Sequence, residues 1–182
     1  SGNFVFSFVG RVVRDKGVNE FVHAFDRLSS LYPNRISLLI VGPEENSLDP
    51  ISDDTREILK RNFYIHLLGR QADVRPYMAV SDVFVLPSYR EGFGQVLMEA
   101  CALEVPCITT DIIGCNEIVQ NGINGKIVPP RDENALYEAM KWFYEHRDDE
   151  VKKMAENARP IIAERYEQHK VWEALLKEYQ TL

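Results

Sequence analysis

The sequence predicts an α/β fold: a doubly wound, mostly parallel, Rossmann-like sheet in a single domain, with extra helices at the carboxyl end. Three observations predict it. Near-continuous apolar runs of strand length recur along the chain, as strands buried on both faces of a parallel sheet require. Segments of helical period separate them. The residues richest in chemistry stand directly after the apolar runs, where folds of this kind bind ligands.

The first run, NFVFSFVG, is far shorter than the ~20 residues of a membrane span and lacks the basic flank and cleavage site of a secretory signal, so it reads as a strand. VNEFVHAFDRLSSLYP follows, with Val18, Phe21, Val22, Phe25 and Leu28 at helical spacing and Pro33 as its stop. ISLLIVG and YIHLLG read as the second and third strands, with DDTREILKRN a helix between them. ADVRPYMAVS is a short helix, VFVLP the fourth strand, GQVLMEACALE the fourth helix and PCITTD the fifth strand. A loop-rich stretch, NGINGKIVPPRDE, contains a weak strand at KIV. From Asn134 the chain reads as helical to its end, with breaks expected at Pro160 and at Glu164 to Tyr166. The Trp142, Phe143 and Tyr144 cluster and Trp172 fall in these helices and are expected to pack on the sheet.

A chain of 182 residues supports one substantial core and is short for two, so residues 1–182 read as one domain. The balance of 45% hydrophobic and 27% charged residues argues against long disorder. A formal charge of −7 with no basic stripe disfavours a nucleic-acid surface. The three cysteines, Cys101, Cys107 and Cys115, lack paired CxxC spacing and are expected to be buried, reduced thiols in a cytoplasmic protein. His23, His66, His146 and His169 show no metal-ligand spacing.

Two motifs carry the chemistry. In GRVVRDKG, Gly10 permits a tight exit from the first strand, and Arg11 and Lys16 bracket a loop suited to a diphosphate, the one as a fork and the other as a point charge. A solvated basic loop is an equal reading of that motif alone. In SYREGFGQVLMEA, EGFG opens a helix whose free N–H groups hold anions, and Gly92 and Gly94 flank Phe93 so that main chain can approach a ligand closely. Glu91 stands at the mouth, and Glu99 lies eight residues further on, inside the helix. A carboxylate accepts from two vicinal hydroxyls at once, so both suit sugar rings; a helix-start charge and a solvated Glu are the plainer alternative.

GRVVRDKG, SDVFVLPSYREGFGQVLMEA and GCNEIVQNGINGKIVPPRDENAL together resemble the carboxyl-terminal half of the large retaining GT-B glycosyltransferase family called group one or family four, from about Phe4 to Leu136. The resemblance implies that the domain binds a nucleotide-sugar donor. Arg11 and Lys16 match the pair that holds its diphosphate, Glu91 the contact to the transferred sugar, and Glu99 the carboxylate on the ribose. Backbone of Phe93, Gly94, Gln95 and Val96 matches that lining sugar and phosphates, and the base is expected around Gly42, Gly69 and Arg70.

The resemblance further implies transfer with retention, with Glu91, Arg11 and Lys16 as the catalytic group. Cations and N–H groups would stabilise the departing diphosphate, so neither cofactor nor metal is expected. The acceptor, a sugar or lipid-linked sugar, belongs to an amino-terminal domain outside this sequence, which begins at the first strand. The isolated domain is therefore expected to bind nucleoside diphosphates and not to turn over. Full-length protein is expected in the cytoplasm, peripheral to the membrane, building a polysaccharide, lipopolysaccharide or glycolipid. A GT-B-fold nucleotide-sugar epimerase and a non-catalytic nucleotide-binding module are the alternatives. Two positions depart from the family pattern: Glu104 where glycine is frequent, and Ile113 with Gly114 in place of paired glycines.

Overall fold

The computed structural model describes residues 2–45 and 48–166. Trp172, His169 and the rest of the expected terminal helix lie outside the described residues. Six strands, β1 (Phe4–Val9), β2 (Ile36–Val41), β3 (Ile65–Leu67), β4 (Val83–Leu86), β5 (Cys107–Thr110) and β6 (Gly125–Val128), form one sheet in the order β3-β2-β1-β4-β5-β6. Every pairing is parallel. All residues of β4 and β5 are buried, which is why these stretches read as apolar runs without alternation.

The helices are α1 (Val18–Leu31), α2 (Asp53–Arg61), α3 (Arg75–Ala79), α4 (Gln95–Ala102), α5 (Glu133–Glu145) and α6 (Glu150–Tyr166). They pack in two groups, α1 with α2 and α5, and α4 with α3 and α6. Side-chain caps fix two starts: Ser52 Oγ accepts from Thr55 N at 3.4 Å, and Asp132 Oδ1 from Ala135 N at 2.8 Å. Between sheet and helices sit Phe6, Phe8, Phe21, Phe25, Phe84 and Phe143, all fully buried. Each contributes on the order of 1.5–3 kcal/mol of burial, and Phe6 meets Phe25 edge-on with ring centroids 6.2 Å apart.

Pro160 corrects the sequence expectation. It lies inside α6, which runs unbroken to Tyr166, and the real break is the acidic stretch after His146, the C-cap of α5. Proline removes one amide donor, but Pro160 faces solvent, where water can satisfy the freed carbonyl. The sequence reading also lacked a one-turn 3-10 helix at Arg14–Lys16, which matters below. No helix among the described residues is long and apolar enough to cross a membrane.

All three cysteines are buried and free. Cys101 and Cys107 place their sulfurs 3.7 Å apart, too far for a disulfide. Burial pushes the Cys115 thiol up to about 11 and the Cys107 thiol well above its ordinary value, so neither offers thiolate at neutral pH. Iodoacetamide is accordingly expected to leave the native chain unlabelled and to modify three thiols once guanidinium unfolds it, read by intact mass. Rapid modification of a native cysteine would reveal local opening of the β4–β5 region.

Candidate functional site

Strand order reverses between β1 and β4: the chain leaves β1 toward β2 on one side and leaves β4 toward β5 on the other. The crevice beyond the carboxyl ends of these two strands is where doubly wound sheets bind ligands. The loops after β1 and β4 meet there because residue 17 is glycine. Gly17 ends the 3-10 turn with φ 68, and a Cβ built on it would lie 2.0 Å from the Pro87 carbonyl oxygen. With that gap closed, Tyr89 N donates to Asp15 O at 2.9 Å and Arg90 Nε to Asp15 Oδ2 at 2.7 Å.

The result is a contact across 75 residues of sequence. Lys16 Nζ lies 2.5 Å from Glu91 Oε1, with the side chains only 20% and 14% exposed, so the pair is largely shielded from the screening that weakens surface ion pairs. Ser88 Oγ donates to the same oxygen at 2.7 Å, and the Ser88 carbonyl in turn accepts the hydroxyl of Thr110. Glu91 Oε2 has no partner among the described residues and remains able to accept hydroxyls.

The EGFG turn packs backbone to backbone against the loop after β5. Gly94 N donates to Gly114 O at 2.9 Å, and a Cβ on Gly114, whose φ is 86, would come within 2.9 Å of Gly92 O. Gly114 is thus the glycine this contact demands, while Ile113 beside it stands 78% exposed and meets no such constraint. Gly92 is exposed with open space around it, and Gly94 is buried. The N–H of Gln95 turns back to Phe93 O at 2.7 Å, whereas that of Val96 has no acceptor among the described residues. Phe93 is half exposed, its ring edge-on to Tyr166 at 5.7 Å, and Tyr166 and Arg165 both donate to the Glu117 carbonyl. The end of α6 therefore rests on both loops.

The remaining predicted residues stand apart from this pair. Arg11 donates from Nη1 to Glu45 Oε2 at 2.9 Å and lines an open cleft of about 800 Å³. Glu99, which accepts from Gln95 Nε2 at 3.3 Å, lines a separate depression of about 490 Å³ with Asp73, Arg75 and Leu103. Among the described residues no side-chain contact joins Arg11 or Glu99 to Lys16 and Glu91. At the other strand ends, Gly42 N donates to Gly69 O at 2.8 Å, and a Cβ on Gly42 would fall 1.8 Å from Gly10 O, so Gly10, Gly42 and Gly69 form one close-packed line of strand exits with Arg70 exposed beside it.

Sequence reasoning did not single out Asp15, Ser88, Tyr89 or Thr110. The signal available was position: Ser88 and Tyr89 follow Pro87 at the carboxyl end of β4. Tyr89 donates its hydroxyl to Glu20 Oε1 at 2.6 Å, and burial together with that bond keeps the phenol well above its ordinary pKa. Glu104 adopts φ 62, a left-handed position costing a non-glycine residue roughly 1–2 kcal/mol, a cost glycine would not carry.

Six parallel strands in this order define a Rossmann-like α/β domain, the fold of GT-B glycosyltransferase structures. The model of the family described as "Glycosyl transferases group 1" matches residues 3–146, and the chain belongs to that family. It is 35% identical over 182 residues to the capsular polysaccharide biosynthesis glycosyltransferase CapM of Staphylococcus aureus, covering 98% of this chain and 46% of that protein. It is 32% identical over 142 residues to an Escherichia coli UDP-Gal:alpha-D-GlcNAc-diphosphoundecaprenol alpha-1,3-galactosyltransferase, covering 76% of this chain and 36% of that one. Among solved structures, Anabaena HepE in complex with UDP shares the fold with a TM-score of 0.88 at 22% identity, over 100% of this chain and 50% of that one. The chain thus spans between about a third and a half of the length of these relatives.

Proposed function

We propose that this chain is the carboxyl-terminal, donor-binding domain of a retaining glycosyltransferase that moves a hexose-type sugar from a nucleoside diphosphate to an acceptor. The observation that carries the reading is the Lys16–Glu91 pair at the sheet's reversal point, with one carboxylate oxygen of Glu91 left open. Breaking the anomeric bond puts negative charge on the departing diphosphate and positive charge on the sugar. Lys16, Arg11 and the N–H of Val96 at the start of α4 answer the first, and Glu91 answers the second. Glu91 then orients and stabilises the sugar and carries no proton.

Glu99, a few residues along the same helix, holds the ribose, and the Gly42 and Gly69–Arg70 strand ends frame the base. Closing Arg11 onto the diphosphate requires it to leave Glu45, a partly exposed pair that costs little to break. An amino-terminal domain supplies the acceptor site. Relatives named for capsular polysaccharide biosynthesis and for transfer to a diphosphoundecaprenol-linked sugar support a polysaccharide or lipid-linked acceptor.

Calorimetric titration of the chain with UDP-, GDP- and ADP-sugars tests the reading. One nucleotide class is expected to bind, Glu99→Ala is expected to weaken it about tenfold through loss of charge-assisted hydrogen bonds, and no sugar should be transferred by the chain alone. Absence of binding by all three, or turnover by this chain, overturns it.

A further inference from the structure

The open cleft of about 800 Å³ holds three guanidiniums that the donor reading does not use: Arg14, Arg90 and Arg131. Four arginines line this cleft against three acidic side chains, an excess of positive charge on a chain whose formal charge is −7. Local inversion of sign in a concave surface concentrates anions.

The acidic groups act as braces. Asp49 accepts Arg14 Nε at 3.1 Å on one oxygen and the Asp15 N–H at 2.6 Å on the other. Asp15 accepts Arg90 Nε at 2.7 Å. Each carboxylate thus takes only the Nε edge, and the terminal amino groups of Arg14 and Arg90 have no partner among the described residues. The Arg14 and Arg90 side chains are 65% and 84% exposed. Arg131 forms no ion pair among the described residues: it is held in a left-handed conformation at φ 62, and its guanidinium lies over the Tyr89 ring at 4.6 Å. Tyr89 is itself fixed by its hydroxyl on Glu20 and its N–H on Asp15. Left-handed non-glycine residues cost free energy and persist where the surroundings impose them. Three orienting devices of different kinds therefore leave donor N–H groups unused in one concave place.

We propose that Arg14, Arg90 and Arg131 form an oxyanion subsite, distinct from the Lys16–Glu91 pair, that receives a phosphate or diphosphate group of the second substrate. Planar forks suit phosphate oxygens, and the cleft is large enough for a diphosphate with part of its attached sugar. Assigning that group to the acceptor rests on the transferase reading; the anion subsite itself does not. Arg11 lines the same cleft, so such an acceptor would lie beside the donor diphosphate.

The test follows the arginine Nε–Hε NMR signals of the chain during titration with inorganic pyrophosphate, alone and with saturating UDP, GDP or ADP. The signals of Arg14, Arg90 and Arg131 are expected to move and to keep moving when nucleotide is present. The variant R14K/R131K keeps the charge but loses the forks, and is expected to bind pyrophosphate about tenfold more weakly with an unchanged amide spectrum. No response, a response abolished by nucleotide, or unchanged affinity in R14K/R131K overturns the subsite. A pyrophosphate response with no response to any nucleotide keeps the subsite and removes the donor reading. In a parallel arm, sedimentation with phosphatidylglycerol vesicles is expected to match that with phosphatidylcholine. Arginine-dependent capture by the anionic vesicles alone would reassign the cleft to a lipid headgroup and overturn the acceptor.

Discussion

Replacing Glu91 by alanine in the full-length protein is expected to lower sugar transfer about 100- to 1,000-fold, the loss typical of one preorganised electrostatic group. That corresponds to roughly 3–4 kcal/mol of transition-state stabilisation. Two effects combine. The open oxygen of Glu91 is lost to the sugar, and Lys16, only 20% exposed, loses the partner that aims it. Lys16→Ala should therefore cost a comparable amount, and the double variant much less than the sum, because the two side chains act as a unit. Glu91→Gln separates charge from shape: it preserves size and the Ser88 hydrogen bond, and is expected to recover little of the rate. Steady-state kcat and KM for donor, measured with saturating acceptor, decide it. Turnover of Glu91→Ala within about twofold of wild type would take Glu91 out of the chemistry.

Gly17→Ala is expected to lower stability by more than about 3 kcal/mol, as clashes with backbone in a packed site do. For a domain of this size that is a fall in Tm of roughly 6–12 °C. The methyl would sit 2.0 Å from the Pro87 carbonyl oxygen and on a left-handed φ of 68. Gly122→Ala serves as the control. Its φ of 81 is equally unfavourable, but nothing lies within 4 Å of the added carbon, so only the conformational cost of roughly 1–2 kcal/mol should appear. Equal melting shifts in the two variants would mean that the β1 and β4 loops yield without strain. Because the clash separates those loops, Gly17→Ala should also weaken donor binding, whereas Gly122→Ala should not.

Much of this architecture was legible because burial on both faces writes itself into the sequence as unbroken apolar runs. VFVLP and PCITTD could be placed as strands for that reason, and every residue of β4 and β5 is buried. Helical spacing in α1 showed its core face directly, since Val18, Phe21, Val22, Phe25 and Leu28 all bury. Pro160 misled because local rules hold that proline ends a helix, while the cost depends on whether the freed carbonyl meets water, a tertiary fact. The 3-10 turn at Arg14–Lys16 has no periodic signature at three residues, yet it decides where Lys16 points. Tyr89, Asp15 and the bracing aspartates were illegible for a related reason: their roles exist only between loops far apart in sequence. Arg11 and Glu99 could be picked out by position after strands and within a helix, but not their present neighbours, Glu45 and Gln95.

The neighbourhood of β1 and β4 sets an order of assembly. Residues through 67 contain β1, β2 and β3, which pair with near neighbours in the chain, whereas the other edge of β1 waits for Val83 and Phe84. During synthesis that edge is bare until β4 leaves the ribosome, an interval in which it is open to wrong partners. Distant pairings form slowly because chain closure is entropically costly. Lys16 therefore gains its carboxylate only once the central seam of the sheet has closed, and a nascent chain carries no half-built version of this pair.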